Sequence, residues 1–421
     1  MDENNAWEQK KKIHEERLSG KQQGTQDGVL SALKRMLPVA LMLGALLLII
    51  AMDTPEKKAA RDAEAVNQSL QAENTAAENN AASADGGSTL PLSVSGFSLD
   101  TFWTLTIYEG GGEEALSKAE KLLGHYDSLF NQSRTESDIY RINHRDTNEV
   151  EISEDMASLL ETAKAFSEES GGDFDVTVGQ LTELWDLKNR KTAPAEAEVA
   201  EALSACDMDG FEIVRRGGKA FFVTENSRIQ IDVGAIAKGF IADRLKEGML
   251  SDGVQSAIIN LGGNVLCVGG RTEAEDFVIS LRKPEKDSQD AIATLSVRDL
   301  SVVTAGIYER FFEENGVHYH HILSTKDGWP VQNELSAVSV VGANSAYCDA
   351  LSTTLFIKGT EGGQAFLAEF NEAHAGENGA YYAFFIGKDG SITASEGAEA
   401  FVLSTYDGYG IRQSAGQPAG Q

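Results

Sequence analysis

One short segment, residues 229–243, constrains the fold more than any other part of this sequence: IQIDVGAIAKGFIAD. Its first five residues alternate between aliphatic and polar side chains, which is the period of a half-buried strand. Small residues follow at once, and Gly234 and Gly239 let the backbone approach a neighbour closely. We therefore predict a strand, a tight turn and a helix that starts at about Ala235.

The start of such a helix is a natural place for an anion, because its first N–H groups have no partner within the helix. Phosphate is the expected ligand. The glycine spacing, however, matches neither the GxGxxG motif nor a P-loop. Ordinary tight packing of a strand on a helix explains the segment equally well.

A second segment, ANSAYCDALSTTLFIKG from residue 343, predicts another helix. Asn344 or Ser345 is suited to cap its start, and Gly359 is suited to end it. Asp349 and Thr353 are four residues apart and therefore share one face of this helix. A carboxylate and a hydroxyl on one face suit a hard cation such as Mg²⁺. The alternative is a solvated aspartate with a threonine that bonds its own helix backbone.

Helical and strand periods follow each other in blocks rather than in a strict alternation, so we predict an α+β fold with a mixed, largely antiparallel sheet. Amphipathic helices are predicted at 113–130, 154–170 and 195–206, and strands at 256–261, 265–269, 277–281 and 293–297.

Seven segments stand in the order found in the ApbE family, and the chain beyond about residue 95 resembles that family. The resemblance implies an FAD:protein FMN transferase, which splits FAD and joins FMN to a threonine of another protein through a phosphoester. It also implies two lobes with FAD between them. The segments are YDSLFNQSRTESDIYRIN (126–143), GGDFDVTVGQLTELWDL (171–187), IDVGAIAKGFIAD (231–243), INLGGNV (259–265), TAGIYERFF (304–312), HHILSTKDGWPV (320–331) and SAVSVVGANSAYCDALSTTLF (from 336).

The resemblance also implies particular site residues. The family's Mg²⁺ site falls on Asp349, Thr353 and the main-chain carbonyl of Ala235, which agrees with the hard-oxygen pair found above. The residues that resemble FAD-contacting positions of the family are Gly172, Asp173, Phe174, Asp175, Asp232, Lys238 and, through its backbone, Leu323.

Three further assignments have structural alternatives. His321 is the candidate for taking a proton from the acceptor hydroxyl, or else it only orders the turn that follows it. Gly262 and Gly263 would bring backbone close to the nucleotide, or else they form a strand-end bulge. Phe174 fits a core aromatic as well as a ligand contact.

The sequence departs from the family at three points, one of which is Ala305, where the family more often has Ser. Ser324 and Thr325 stand where the family usually has Asp or Asn followed by Pro, and Ser133 replaces an aromatic residue. These changes bear on nucleotide affinity and on the balance between transfer and hydrolysis.

The N-terminal region contains an uncharged apolar run, residues 36–52, at the short end for crossing a bilayer as a helix. We predict a polar tail (1–35), one transmembrane signal anchor (36–52), a flexible linker (53–90) and a catalytic domain (91–421). Basic residues flank both sides of the run, so charge alone leaves the orientation open. The resemblance implies a single-pass protein of the cell membrane whose catalytic domain is extracytoplasmic.

Composition excludes some functions. The chain of 421 residues has a formal net charge of −29, which argues against nucleic acid and anionic lipid as partners. Its 3 cysteines are widely spaced and provide no disulfide framework. We therefore expect an Mg²⁺-dependent transferase that uses FAD and an acceptor protein. An FAD pyrophosphatase that releases FMN and AMP, and a flavin-binding protein without turnover, are the alternatives.

Overall fold

The computed structural model describes residues 91–376, 379–406 and 408–413. The predicted tail, transmembrane anchor and linker lie outside these residues. Within the described ranges, no helix is both long and apolar enough to cross a membrane.

The helices and strands follow one another in blocks. The helices are α1 Gly112–Phe130, α2 Asp138–Asn143, α3 Glu154–Ser170, α4 Gly179–Trp185, α5 Glu196–Leu203, α6 Ala237–Ser251 and α7 Ser345–Ala373, with a 3₁₀ turn at Ala398–Phe401. The strands are β1 Leu92–Ser98, β2 Thr101–Gly110, β3 Glu149–Ile152, β4 Glu212–Arg216, β5 Lys219–Val223, β6 Val254–Leu261, β7 Asn264–Val268, β8 Phe277–Arg282, β9 Ala291–Val297, β10 Ser301–Gly306, β11 Phe311–Glu314, β12 Val317–His320, β13 Leu335–Gly342, β14 Tyr382–Gly387, β15 Ile392–Ala394, β16 Val402–Thr405 and β17 Ile411–Gln413.

A nine-stranded sheet organises the domain, in the order β1-β2-β6-β7-β10-β13-β14-β15-β17. Every neighbouring pair in it is antiparallel except β15 and β17, which are parallel. Three smaller sheets are formed by β11-β12, β16-β9-β8 and β3-β5-β4. The predicted α+β class and the mixed, largely antiparallel sheet are therefore confirmed.

The two faces of the large sheet contribute to different hydrophobic cores. Along β13, Val338 and Val340 join the core that contains α1, α6 and α7. Ala337 and Val341 belong instead to the core formed with β8 and β9. The alternation follows from the period of two along a strand, so the sheet is the middle layer between helices and a second sheet.

The predicted strand at the start of the 229–243 segment is wrong in its hydrogen bonding. Its aliphatic side chains are buried as expected, but the segment forms only an isolated bridge between Gln230 and Val178. Side chains satisfy its backbone instead, because Asn143 bonds both the N–H and the carbonyl of Ile231. Arg145 donates to the carbonyl of Ile229. The segment is thus extended and buried, yet it belongs to no sheet.

Helix α7 starts as predicted and continues beyond its predicted end. The Asn344 side chain accepts a hydrogen bond from the N–H of Tyr347, which confirms the N-cap. At Gly359 the backbone leaves the helical region, with φ 71 and ψ −179, and a further helical stretch then runs to Ala373. Gly359 therefore kinks the helix rather than ending it, since glycine adopts such a conformation without steric cost.

Candidate active site

The start of α6 packs directly on the start of α7. A Cβ atom at Gly239 would stand 2.2 Å from the carbonyl oxygen of Ser345, so only glycine fits there. This contact gives the glycine of the AIAKGF run a structural role, and it brings the turn before α6 close to the first turns of α7. The two segments selected from the sequence therefore meet at one place.

Asp349 takes over a hydrogen bond that would otherwise close the first turn of α6. In a regular helix the N–H of Gly239 would donate to the carbonyl of Ala235, four residues earlier. Here that N–H donates to Oδ2 of Asp349 at 3.0 Å. Among the described residues no backbone N–H donates to the Ala235 carbonyl. This carbonyl and Oδ1 of Asp349 are both left as acceptors at the junction of the two helices.

Thr353 does not bond its own helix backbone, which was the alternative to a role in cation binding. Its hydroxyl, half-buried on α7, forms no hydrogen bond with the rest of the described chain, whereas Thr162 on α3 bonds the carbonyl of Ser158 at 2.9 Å. A helical threonine that serves only its own backbone would resemble Thr162. Thr353 thus presents a third hard oxygen, one turn from Asp349.

Asp349 is buried and needs a positive partner. Only 4% of the residue is exposed. Its burial raises its pKa, while the nearby ammonium of Lys238 favours the charged form. Lys238 Nζ lies 3.8 Å from Oδ2, and it also donates to the carbonyl of Gly234 at 2.9 Å. Within the described part of the chain, Lys238 is thus the one lysine paired with this buried carboxylate.

His321 lies at the open end of the β11–β12 hairpin. Phe311 pairs with His320, so the next residues outward, Arg310 and His321, face each other across the hairpin. Burial lowers the pKa of His321 to about 4, and the positive charges of Arg310 and Lys238 lower this pKa further. A main-chain hydrogen bond with Arg310 and the negative charge of Asp232 act in the opposite direction and raise it. Charges on Lys238 and Asp232, at the turn before α6 and its first residues, thus act on this imidazole. Its Nδ1 is buried without a hydrogen-bond partner in the described chain.

Asp232 shapes the turn before α6. Its Oδ1 accepts a hydrogen bond from the N–H of Gly234 at 2.8 Å, and its own N–H donates to the carbonyl of Val176 at 2.7 Å. Of the residues predicted from the sequence, the structure thus gathers Asp232, Ala235, Lys238 and Asp349 around one junction, with Thr353 a turn further along α7. His321 is connected to them through the influence of Lys238 and Asp232 on its pKa.

Each residue of the 172–175 segment makes a different kind of contact with the surrounding structure. Gly172 accepts a hydrogen bond from the Thr325 hydroxyl at 2.8 Å. Asp173 receives Lys326 Nζ at 2.9 Å and Lys358 Nζ at 2.6 Å. Phe174 is a core residue, edge-to-face with Phe166 at 5.1 Å, and Asp175 accepts hydrogen bonds from Thr177. The contacts to Thr325 and Lys326 join this segment to the loop that follows His321.

The remaining three predicted residues, Leu323, Gly262 and Gly263, also have clear structural roles. Leu323 bridges to Pro330 across the loop after His321 and is mostly buried. Gly262 and Gly263 form the two-residue turn between β6 and β7, with φ 61 and 91. Such a turn with positive φ at both residues is a favoured hairpin connection, which differs from the strand-end bulge considered as the alternative. A Cβ at Gly262 would stand 1.8 Å from the Thr101 hydroxyl, so the close approach is to β2.

Asp243 was missed in the sequence. Its two carboxylate oxygens accept hydrogen bonds from the N–H groups of Ser345 and Ala346, each at 2.9 Å. It therefore satisfies the first amides of α7 from the neighbouring helix, and burial raises its pKa to about 6. The available signal was a carboxylate within the apolar run FIAD, which requires a partner once buried.

Known proteins are similar to this chain in sequence and in fold. The sequence profile of the ApbE family matches residues 99–375. An FAD:protein FMN transferase of Klebsiella pneumoniae is 34% identical over 62% of this chain and 82% of its own length. One from Treponema pallidum is 32% identical over 67% of this chain and 80% of its own length.

Solved structures agree. The crystal structure of the ApbE protein of Thermotoga maritima, 26% identical, matches with a TM-score of 0.66 over 75% of this chain and 100% of that chain. The flavin transferase ApbE of Vibrio cholerae, 22% identical, matches with a TM-score of 0.64 over 74% of this chain and 99% of that chain, which shows a shared fold.

The fold and these relatives define the class of protein: an α+β enzyme that transfers a chemical group. More narrowly, the chain belongs to the ApbE family, and the resemblance found in the sequence is confirmed.

Proposed function

We propose that this protein is an Mg²⁺-dependent FAD:protein FMN transferase, which moves FMN from FAD to a threonine of an acceptor protein and releases AMP. The observation that carries the proposal is the diverted N–H of Gly239, which leaves an Ala235 carbonyl and an Asp349 oxygen as acceptors. The family relatives named as FAD:protein FMN transferases support the reaction type.

The oxygen atoms at this junction fit Mg²⁺. They are a carboxylate, a main-chain carbonyl and a hydroxyl, which are hard ligands, and Mg²⁺ fills its remaining positions with water and phosphate. Ala235, Asp349 and Thr353 would hold the cation. When bound, it would neutralise charge on the pyrophosphate of FAD and so stabilise the transition state.

The transfer exchanges one phosphorus–oxygen bond for another. The acceptor hydroxyl oxygen bonds the phosphorus nearer the flavin, the bond from that phosphorus to the bridging oxygen breaks, and AMP leaves with this oxygen. His321 takes the hydroxyl proton. The imidazole is neutral near pH 7 and so has a nitrogen that can accept a proton, although its lowered pKa makes it a weaker base than free imidazole. Its buried Nδ1 has no hydrogen-bond partner in the described chain.

The test is to incubate the protein with FAD, Mg²⁺ and an exported protein that contains a candidate threonine. We expect yellow fluorescence that stays with the acceptor on a denaturing gel, together with one AMP for each FMN bound. His321→Ala should slow this transfer much more than it weakens FAD binding, because a proton acceptor acts chiefly in the transition state. Rapid release of free FMN with no labelled acceptor would instead establish the pyrophosphatase.

We further propose that residues 36–52 anchor the chain as a single transmembrane helix with the catalytic domain outside the cytoplasm. The uncharged apolar run between two polar segments supports this topology. An acceptor in that compartment would then be the partner, with FAD as the second substrate.

A further inference from the structure

Two basic side chains from separate loops converge on one carboxylate at the tip of the β1–β2 hairpin. Arg310 Nη2 lies 2.9 Å from Oδ2 of Asp100, and Lys188 Nζ lies 2.6 Å from the same oxygen. Arg310 also approaches the Asp100 carbonyl at 3.5 Å. Two cations on one carboxylate leave this group with an excess of positive charge, in a chain whose formal net charge is −29.

This cation pair borders the candidate active site. Arg310 faces His321 across the end of the β11–β12 hairpin. Next to Asp100 on the other side, Thr101 packs against the Gly262 turn that the sequence placed near the nucleotide. The pair and its carboxylate therefore adjoin both the end of the hairpin that leads to His321 and the Gly262 turn.

The backbone of this turn holds Asp100 in a left-handed conformation beside a leucine that rarely adopts one. Leu99 and Asp100 both have positive φ, 51 and 61, in a two-residue turn where Asn-Gly would be usual. The N–H of Leu99 donates to the buried carboxylate of Asp127 at 2.9 Å, which fixes the turn. A backbone conformation of this kind in a non-glycine residue is uncommon and often occurs at functional sites.

We propose that Arg310 and Lys188 form a subsite for a phosphate group of the substrate, and that the Asp100 carboxylate occupies this subsite before the substrate binds. An exposed ion pair contributes little to stability. A pyrophosphate carries more charge and more acceptor oxygens than one carboxylate, so it displaces Asp100. This inference rests on the proposed function for the identity of the substrate, which is a phosphoanhydride.

The internal carboxylate has a definite effect on affinity. Every substrate molecule that binds must first break the contacts of Asp100, so the apparent affinity is lower than the cation pair alone would give. Removing the charge of Asp100 should therefore strengthen substrate binding, whereas removing an ordinary binding residue weakens it. This sign separates an internal competitor from a substrate ligand.

The experiment measures equilibrium binding of FAD, of inorganic pyrophosphate and of riboflavin to the full chain at constant Mg²⁺ concentration, without acceptor. Asp100→Asn keeps the size of the side chain and tolerates positive φ. We expect it to lower the Kd for FAD and for pyrophosphate about three- to tenfold, in keeping with the loss of one exposed ion pair. Riboflavin, which has no phosphate, should bind as before. Adding Arg310→Met to Asp100→Asn should abolish the increase in affinity for FAD and pyrophosphate.

Asp299→Asn is the matched control, because Asp299 also has positive φ, 56, and pairs with a lysine, Lys246, at 2.9 Å. It should leave all three dissociation constants unchanged. The inference is overturned if Asp100→Asn fails to tighten FAD and pyrophosphate, if riboflavin gains equally, if Asp299→Asn gives the same gain, or if the full chain binds neither anion. A full chain that binds FAD with these shifts but labels no acceptor would contradict the transferase and leave the subsite standing.

Discussion

At the scale of single residues, Asp349 has two roles: it is a candidate cation ligand, and it leaves the Ala235 carbonyl available as another. One carboxylate oxygen receives the amide of Gly239 at 3.0 Å, and this bond prevents the amide from reaching Ala235. The sequence could suggest Asp349 and Thr353 as a pair, since their spacing places them on one helix face. It could not show that the Ala235 carbonyl is left as an acceptor, because that depends on how two helices distant in sequence cross.

Asp349→Ala should nearly abolish FMN transfer. Losing one carboxylate from a divalent cation site removes several kcal/mol of transition-state stabilisation, which is about a thousandfold or more in rate. Thr353→Val should reduce the rate in the same direction, by about tenfold, since it removes a neutral ligand. The measurement is kcat/KM for transfer as a function of Mg²⁺ concentration, with circular dichroism to verify folding.

Thr162→Val is the control for the threonine change, because the Thr162 hydroxyl only bonds its own helix. Its activity should match the unchanged protein. An Asp349→Ala variant that retains a tenth of the activity, at any Mg²⁺ concentration, would refute the metal assignment.

His320 makes the stability of the fold depend on pH. It is 1% exposed, and burial lowers its pKa to about 3. Below pH 6.5 the unfolded chain therefore binds a proton that the folded chain resists, so stability is complete above that pH and falls as the pH drops towards 3. Between pH 6.5 and 5 the loss from this residue is about 2 kcal/mol.

His320→Gln should flatten this dependence, since glutamine carries no charge and can still donate to the Val331 carbonyl that His320 bonds at 2.8 Å. Urea unfolding of both proteins at a series of pH values measures how the free energy of unfolding depends on pH. Equal slopes between pH 6.5 and 5 in the two proteins would show that His320 does not titrate on unfolding.

At the scale of elements, Asp173 connects three parts of the domain. It lies just after α3, receives Lys326 from the loop after His321, and receives Lys358 from α7, the helix that carries Asp349. Lys358 also donates to the carbonyl of Ser170 at 3.1 Å. The lysines hold the pKa of Asp173 below its usual range although burial acts in the opposite direction. The segment is thereby tied to both sides of the site.

Asp173→Asn should destabilise the fold by about 2 kcal/mol, because it removes a mostly buried carboxylate and leaves two lysines without their counter-ion. The KM for FAD should rise while kcat changes less, since the 172–175 segment loses its fixed position but the catalytic side chains remain. Lys358→Met should cost more stability than Lys326→Met, because the Lys358 side chain is 19% exposed and that of Lys326 is 76% exposed.

Asp276→Asn provides the comparison, since Asp276 forms an exposed ion pair with Arg298 at 2.7 Å. Its loss should cost less than about 0.5 kcal/mol. Urea unfolding and steady-state kinetics on the same preparations decide the matter. Equal costs for the two aspartate variants would show that Asp173 contributes no more than a surface pair.

The elements also show which parts of the fold the sequence could reveal. The cap of α7 was predictable, because Asn344 acts on an amide three residues away. The extended 229–233 segment has the period of a strand, yet Asn143 and Arg145 bond its backbone instead of a sheet. Periodicity reports which side chains are buried, and it does not report what satisfies the main chain.

At the scale of the whole molecule, the class of fold was predictable and the arrangement was not. Blocks of helical and strand period indicated α+β, and the family resemblance supplied the rest. The place of β10 between β7 and β13 results from pairings between strands far apart in sequence. No local pattern encodes such an order, since each strand only offers a hydrophobic face of the right period.

Removing residues 1–60 should leave a soluble protein with unchanged specific activity. The main core, and every residue assigned above to catalysis or binding, lie beyond residue 90, so the truncated chain keeps all of them. If residues 36–52 form an anchor, the full chain should partition with membranes or detergent while the truncated chain stays in the aqueous phase. FMN transfer per mole of protein, measured for both forms in the same detergent, gives the comparison. Aggregation of the truncated chain, or loss of its FAD binding, would mean that the apolar run packs against the catalytic domain and is not a membrane anchor.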